Sequence, residues 1–339
     1  MGKGRKGATG ATEGRLGSQF TRLWAASAAS GLSDGITFVA APLLAAALTR
    51  NPALVAGLAF AQRLPWLLFG LPSGALVDRI DRRRGMVAVA LGSAALLGLL
   101  GLAVLQGQTR LSLLYATFFL LGTGETLFDT SAVAVLPAVV APEQLPRANA
   151  RLAGTLTVTD QFIARPLGGV LFAVAVALPF LLGAAGLAAS GLLLLTLSGR
   201  FRVVRAEART TSLGAEIAEG VRWLWRHRLL RTLALTLGFL DITVVAQNAI
   251  MVLYAEERLG LHAATYGVFI ATYGVGGVLG SLSAGRVIAW LGDGRVLRLA
   301  IVIEAAVPAA MALTRSPFVA GAVFVVFGAH AVWTWPHDR

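Results

Sequence analysis

Eight ionisable side chains lie inside long apolar segments of the sequence. If these segments cross a bilayer, each charge costs about 2.5 to 3.5 kcal/mol, so each needs a partner, a water-filled cavity or a function. A carboxyl group held away from water takes up a proton more readily unless a cation lies close. The arginines can also serve only to neutralise the aspartates and hold helices in register. The proton-coupling or charge-pair candidates are Asp34, Arg63, Asp160, Arg165, Asp241 and Glu304.

Asp34 and Asp241 occupy corresponding places in two similar stretches of chain. Residues 31–39 resemble residues 238–245 at an offset of 207, and a second pair of matching segments has an offset of 206. Two matches at nearly the same offset indicate an internal duplication. This equivalence places the two aspartates first among the candidate proton carriers.

A different polar stretch, residues 74–84, directly follows an apolar run. Its glycine lets a neighbouring helix approach closely, and its single early carboxylate precedes four arginines, so we interpret it as a site of helix contact and electrostatic interaction. The alternative is a basic anchor on the inner membrane surface. Glu125 and Asp129, four apart on one helical face, are within reach of these arginines and are interpreted as a gate latch. The gating candidates are Gly74, Asp78, Arg79, Arg82, Arg83, Glu125 and Asp129.

The composition favours a membrane protein. The 339 residues are 56% hydrophobic and 14% charged, with a mean hydropathy of +0.74, an excess that a soluble fold of this size does not need. The net charge of +12 lies in short segments between apolar runs, which argues against a nucleic-acid partner. There is no cysteine and the four histidines are widely spaced, so we expect no metal site.

Apolar runs close to the ~20 residues that span a bilayer predict an all-α integral membrane bundle with about ten helices. Of the 29 lysines and arginines, 22 fall in the tail and alternate connections, and only 4 fall in the other connections. This asymmetry predicts a cytoplasmic N-terminus and C-terminus. The predicted helices lie near 23–48, 55–77, 86–105, 111–133, 150–172, 175–197, 231–255, 265–290, 296–313 and 317–335.

The chain divides at a long basic connection. We predict a cytoplasmic tail over 1–22, a six-helix bundle over 23–197, a linker over 198–230 and a second bundle over 231–339. The linker pattern predicts an amphipathic helix on the inner membrane surface, and a calmodulin-type partner helix is the alternative. Since the duplication implies six helices in each half, we expect the second bundle to be truncated after its fourth helix, giving ten of twelve.

Amides inside the apolar segments are candidates for binding a substrate, namely Gln62, Gln247 and Asn248. Aromatic residues can supply an apolar wall, although helix packing and lipid contact are the alternative role for all of these side chains. We find no phosphate loop, no metal-ligand spacing and no Ser-His-Asp set, so we expect neither an enzyme nor a cofactor. The candidate wall residues are Trp66, Phe69, Phe128 and Phe162.

The six-plus-six plan, the basic central connection and residues 74–84 together resemble the major facilitator superfamily. In that superfamily the loop after the second helix reads roughly Gly-x-x-x-Asp-Arg-x-Gly-Arg-Arg. Asp81 stands where the superfamily has glycine. The matching residues are Gly74, Asp78, Arg79, Arg82 and Arg83.

Three further stretches, 62–70, 124–129 and 142–149, are similar to a bacterial branch that includes enterobactin exporters and other secretion-type efflux proteins. Drug–proton antiporters of the superfamily usually carry Gly-Pro-x-x-Gly-Gly in the fifth helix. This chain has Arg165 in place of the first glycine, followed by proline and the glycine pair.

The resemblance implies a major facilitator-type bundle of two pseudo-repeated halves in the bacterial inner membrane. It implies a monomeric secondary transporter that exports small organic or amphipathic molecules by alternating access, with a proton as the coupling ion and the lipid bilayer as surroundings. It further implies that Asp78 contacts the start of an eleventh helix and holds the cytoplasmic side closed. The alternative is a truncated, non-transporting membrane protein, either a fragment or a scaffold.

Overall fold

The computed structural model describes residues 16–77, 81–198, 220 and 222–334, which form helices joined by short connections and contain no strand. A 3-10 turn at Pro142–Gln144 precedes the fifth long helix, and residues 222–226 are also helical. The long helices in this part of the chain are α1 (Ser18–Leu48), α2 (Pro52–Val77), α3 (Arg82–Leu105), α4 (Leu111–Val139), α5 (145–174), α6 (Leu178–Leu195), α7 (Arg228–Glu257), α8 (Ala263–Leu291), α9 (Asp293–Leu313) and α10 (Pro317–Thr334).

The helix α5 changes type along its length. It is α-helical over Leu145–Leu156, π-helical over Thr157–Ala164, and α-helical again over Arg165–Val174. π-Helical turns are rare and occur mostly as single turns inside α-helices, frequently at functional sites. The apolar pattern of the sequence gives no sign of this turn.

Each range predicted from an apolar run overlaps one of the long helices, but several ends differ. α1 begins at Ser18 rather than at residue 23, and α4 continues to Val139 rather than ending at residue 133. α4 runs through Pro137, as α1 runs through Pro42. Membrane helices tolerate such prolines because neighbouring groups satisfy the backbone carbonyl that the proline leaves unpaired.

The exposed surface of the helices is typical of a membrane protein. Seven of those described are long and apolar enough to cross a bilayer, and a shorter apolar helix spans Pro317–Trp333. Large apolar side chains face outward, among them Leu67 at 82% exposure, Trp290 at 83% and Phe318 at 90%. Such exposure suits lipid rather than water. The predicted all-α membrane class is therefore confirmed.

Two groups of helices pack internally and then meet along one seam. In the first group α3 packs on α6, α2 on α4 and α1 on α6, while in the second α10 packs on α8 and α9. The groups meet through α5 with α8 and through α2 with α7. The linker predicted over 198–230, with its amphipathic helix, falls largely on residues 199–219 and 221, outside the described residues.

The two groups are joined at one end of the bundle, which we call the Arg50 end. There Arg50, in the connection after α1, forms an ion pair with Glu256 at the end of α7. A hydrophobic cluster at this end unites both groups, with Leu43 and Phe118 from the first and Tyr266 from the second. At the opposite end, the Arg83 end, a second cluster contains residues of the first group alone, including Phe20, Leu23, Met86, Val135 and Leu194.

Candidate functional site

A cavity of about 620 Å³ lies where the two groups of helices meet. Its size falls within the range of small-molecule sites in proteins. Most of its wall comes from the first group, and α7 and α8 close the remaining side. Seven of the charged and amide residues singled out in the sequence line it: Asp34, Gln62, Arg63, Glu125, Asp160, Arg165 and Asn248.

The best-defined contact in the wall is an ion pair within α5. An Arg165 Nη atom lies 2.9 Å from an Asp160 carboxylate oxygen, and both side chains are largely buried. The Arg165 guanidinium also lies over the Phe38 ring, 4.5 Å from its centroid, in a cation–π arrangement. The arginine therefore neutralises Asp160 inside the cavity wall and joins α5 to α1.

Asp34 lies on the same face of α1 as Phe38 and opens onto the cavity. The Ser30 hydroxyl donates a hydrogen bond of 3.3 Å to its carboxylate. The neighbouring Gly35 brings α1 against the π-helical turn of α5, because a Cβ at Gly35 would collide with the backbone carbonyl of Asp160. The sequence pattern did not predict this approach of α1 to α5.

Glu125, which we interpret as part of a gate latch, lines the cavity. The cause is the true length of α4. With the helix ending at Val139 and a rise of 1.5 Å per residue, Glu125 lies about 21 Å from that end, near the middle of the helix. The side chain of Asp129, its predicted partner in the latch, is outside the described part of the structure.

The three amide candidates differ in whether they line the cavity. Gln62 on α2 and Asn248 on α7 face the cavity, whereas the described wall does not include Gln247. Of the predicted aromatic wall, Phe128 is present, but Trp66, Phe69 and Phe162 are absent from the described wall, and the first two are exposed on the bundle surface. The sequence missed other wall residues, which carry no signal beyond ordinary helix packing: Ser27, Phe38, Phe118, Thr157, Gln161 and Tyr266.

Glu304 does not line the described cavity and instead pairs with a histidine that the sequence reading left without a role. His330 is 4% exposed, and its Nε2 lies 2.8 Å from a Glu304 carboxylate oxygen while its Nδ1 lies 2.5 Å from the Phe327 carbonyl. A carbonyl only accepts, so Nδ1 carries a hydrogen. The contact to Glu304 then needs a second proton, held by either partner.

The tight packing of α5 against its neighbours persists although Arg165 replaces the first glycine of the antiporter motif. Gly168 lies against the backbone of Ile36 on α1, and Gly169 lies against the backbone of Ala263 and Gly267 on α8. The Arg165 side chain lines the cavity.

Within the gating stretch, residues 74–84, the structure describes residues 74–77 and 81–84. Asp81, which replaces the family glycine, caps α3 by accepting a 3.0 Å hydrogen bond from the Arg84 backbone N–H. Arg83 donates to the carbonyls of Leu194 and Leu195 at the end of α6, where helix carbonyls lack partners. Asp78 and Arg79 lie outside the described residues, as do the surroundings of Gly74 and the side chain of Asp241.

The described wall thus presents three carboxylates and two guanidinium groups beside hydroxyls, amides and aromatic rings. Such a surface can bind a small molecule that has both polar and apolar parts. It has the charged groups that a membrane interior tolerates only around a cavity or a pathway.

Comparison with known proteins agrees with this arrangement. The Multidrug efflux pump Tap of Mycobacterium bovis (strain BCG / Pasteur 1173P2) and that of Mycobacterium tuberculosis (strain ATCC 25618 / H37Rv) are each 31% identical over 224 residues, covering 63% of this chain and 51% of the relative. The chain therefore spans about half the length of these curated relatives.

Solved transporter structures share the fold. A bacterial homologue of the human lysosomal transporter Spinster, inward-facing and unoccupied, superposes with a TM-score of 0.69 at 16% identity, over 93% of this chain and 72% of the other. The nucleoside transporter NupG gives 0.69 at 12% identity, over 94% and 79%. A bacterial homologue of the iron transporter ferroportin, inward-facing, gives 0.68 at 18%, over 93% and 81%.

The pattern characteristic of transmembrane secretion effectors matches residues 16–337, nearly the whole sequence. With the helical bundle, its cavity and these transporter structures, the match confirms the resemblance inferred from residues 74–84. The chain belongs to the transmembrane secretion effector family of the major facilitator superfamily.

Proposed function

We propose that this protein is a secondary active transporter that exports small organic or amphipathic molecules in exchange for protons. Support comes from one observation above all. The charged cavity lies between two groups of helices that are joined at the Arg50 end, where Arg50 pairs with Glu256. Rocking of the groups about a cavity near the middle of the bundle is how such transporters alternate access.

Proton coupling is the finer part of the proposal. Asp34 and Glu125 both line the cavity, so a proton bound to either one is in the same space as a substrate. The name of the mycobacterial relatives, multidrug efflux pump, supports export and a broad choice of substrate. We expect the substrate to combine an apolar body with a polar or charged group, because the wall has both kinds of surface.

The proposed surroundings are the bacterial inner membrane, with both chain ends in the cytoplasm and the protein acting as a monomer. The Arg83 end then faces the cytoplasm and the Arg50 end faces outward. Single cysteines at Gln108 and Ala141, both exposed in connections at opposite ends, test this orientation because the chain has no cysteine of its own. A membrane-impermeant maleimide should label Gln108→Cys in intact cells and Ala141→Cys only after permeabilisation. The reverse pattern rejects the orientation.

Transport is tested by reconstituting the 339-residue chain into proteoliposomes with an imposed pH gradient. The probes are ethidium, a cationic amphipath, and two fluorescent amphipaths of similar size that are neutral and anionic. We expect gradient-dependent movement of at least one probe, and its loss in Asp34→Asn. Ser281→Ala, which alters a hydroxyl on α8 outside the described wall, is the matched control and should keep full movement.

Failure of all three probes to move with the gradient, in vesicles that contain folded protein, contradicts the proposal. That outcome instead supports the non-transporting alternative.

A further inference from the structure

The π-helical turn of α5 forms part of the cavity wall. Thr157, Asp160 and Gln161, all within the turn Thr157–Ala164, line the cavity. Its neighbours Val158 and Ile163 are absent from the described wall and are about half exposed, at 50% and 49%. The register of this one turn therefore decides which side chains the cavity presents.

Two bonds join the same pair of residues across the turn. The Arg165 backbone N–H donates to the Asp160 carbonyl, which is the i to i+5 bond of a π-helix. The side chains of the two residues form the 2.9 Å ion pair described above. In an α-helix of 3.6 residues per turn, side chains five apart point about 140° away from each other. The ion pair therefore depends on the π register.

The π register carries costs. π-Helical turns are uncommon in proteins, and here the Arg165 Nε is buried with no hydrogen-bond partner in the described structure. The part of α5 after the turn is fixed by close backbone contacts, Gly168 with Ile36 and Gly169 with Ala263. The part before the turn is held by side-chain contacts, such as the 2.6 Å hydrogen bond from the Trp24 indole to Thr155. A change of register therefore moves the earlier part.

We propose that the Asp160–Arg165 ion pair holds α5 in the π register, and that loss of the pair lets the turn rewind into α-helix. An α-helix does not accommodate the extra residue of the π-helical turn, so rewinding shifts the preceding part of α5 by one residue position. With the later part of α5 fixed, Val158 then takes the place on the cavity wall that Thr157 holds in the π register. A hydroxyl in the wall is exchanged for an isopropyl group. Arg165 is thus a positioning residue, and a cationic group in the cavity that competes for Asp160 changes the wall.

This inference concerns helix register and stands apart from the question of transport. The natural absence of cysteine makes it directly measurable. Thr157→Cys and Val158→Cys are made separately, reconstituted into liposomes, and treated with a polar maleimide that reacts in water but not in lipid. With the pair intact, we expect Thr157→Cys to react at least ~10-fold faster than Val158→Cys, because only the former faces the cavity.

The Asp160–Arg165 ion pair is then removed in both the Thr157→Cys and the Val158→Cys protein. Asp160→Asn and Arg165→Gln should each reverse the order of reactivity, so that Val158→Cys becomes the faster site. The double variant should add nothing further, because each single change already removes the same interaction. Arg165→Lys keeps a cation and should keep the original order.

A one-residue deletion provides the control for register. Removing Ile163 takes out the extra residue and leaves Asp160 and Arg165 four apart, a spacing at which an ordinary α-helix allows an ion pair. The deletion variant should keep Thr157→Cys reactive, and Asp160→Asn in this background should no longer reverse the order. Size-exclusion chromatography shows that each variant is folded.

Two results overturn the proposal. One is an unchanged order of reactivity in folded Asp160→Asn or Arg165→Gln protein, which shows that the pair does not hold the register. The other is reversal by Asp160→Asn in the Ile163 deletion as well, which shows that the response does not arise from the π-helical turn.

Discussion

Asp81 departs from the superfamily glycine and caps α3 by accepting a hydrogen bond from the Arg84 backbone N–H. A glycine at a helix N-cap is almost as favourable as aspartate, whereas alanine costs about 1 kcal/mol. The substitution of aspartate for glycine at this position is therefore compatible with the same helix start.

This cap gives a prediction with an internal control. Asp81→Ala should lower the stability of the detergent-solubilised protein by about 1 kcal/mol, while Asp81→Gly should lower it by only a few tenths, because only alanine removes the cap without helping the backbone. The measurement is thermal unfolding followed by size-exclusion fluorescence. An unchanged stability in Asp81→Ala means that the bond to Arg84 does not stabilise α3.

The Glu304–His330 pair supports a second prediction. His330→Ala leaves a half-buried carboxyl group without its partner and should cost about 1 to 3 kcal/mol. Glu304→Gln should cost much less, because a glutamine amide can donate to Nε2 while Nδ1 still donates to Phe327. Thermal unfolding distinguishes the two. If Glu304→Gln destabilises as strongly as His330→Ala, the pair requires full ionic charge.

Most charged residues of the cavity wall were predictable from the sequence, but their depth in the bundle and their interaction partners were not. The cost of a charge in hydrocarbon was enough to select Asp34, Arg63, Asp160 and Arg165. It was not enough to place Glu125, because the depth of that residue depends on where α4 ends, and α4 continues through Pro137. A lone histidine in an apolar helix gives no signal of its partner, so the role of His330 required the packed structure.

At the scale of helices, close backbone approach at small residues governs packing. Gly276 and Gly280 on α8 lie against the backbone of Val325 and Ala329 on α10, so that a Cβ at either glycine would collide with a carbonyl. Without a hydrophobic drive between helices in lipid, such small-residue contacts are a main source of association.

The same helix offers a matched pair of substitutions. Gly280→Val should disrupt the α8–α10 contact and destabilise by about 1 to 3 kcal/mol through overpacking, whereas Gly277→Val, where nothing lies within 4 Å of a built Cβ, should cost far less. Folded yield in the membrane and thermal unfolding are the measurements. Comparable losses in both variants contradict the assigned interface.

The helices themselves were predictable because apolar runs bounded by basic segments fix where a chain enters and leaves a bilayer. The π-helical turn was not, because no residue type in Thr157–Ala164 demands it. It depends on a contact between Asp160 and Arg165 and on close packing of α1 and α8, which are tertiary facts.

At the scale of the whole molecule, the two groups of helices are joined at the Arg50 end and enclose a charged cavity. The internal duplication and residues 74–84 were sufficient to predict this class of fold. They did not predict which end is joined, because that depends on contacts between the halves such as Arg50 with Glu256. In the transport cycle that we propose, the halves must separate at this end for the cavity to carry a molecule across.

The most direct test cross-links the two groups of helices at the Arg50 end and then cleaves the cross-link. Arg50→Cys and Glu256→Cys, introduced together into the naturally cysteine-free chain, are joined by a bismaleimide whose spacer contains a reducible disulfide. Gradient-driven movement of whichever of the three probes is carried is measured in proteoliposomes before cross-linking, after it, and after reduction. The two single-cysteine variants, treated identically, control for modification at either site alone.

We predict that probe movement falls to the level of protein-free vesicles when the Arg50 end is cross-linked, and that it returns when the spacer is cleaved. Movement that continues undiminished across the intact cross-link contradicts alternating access through this cavity.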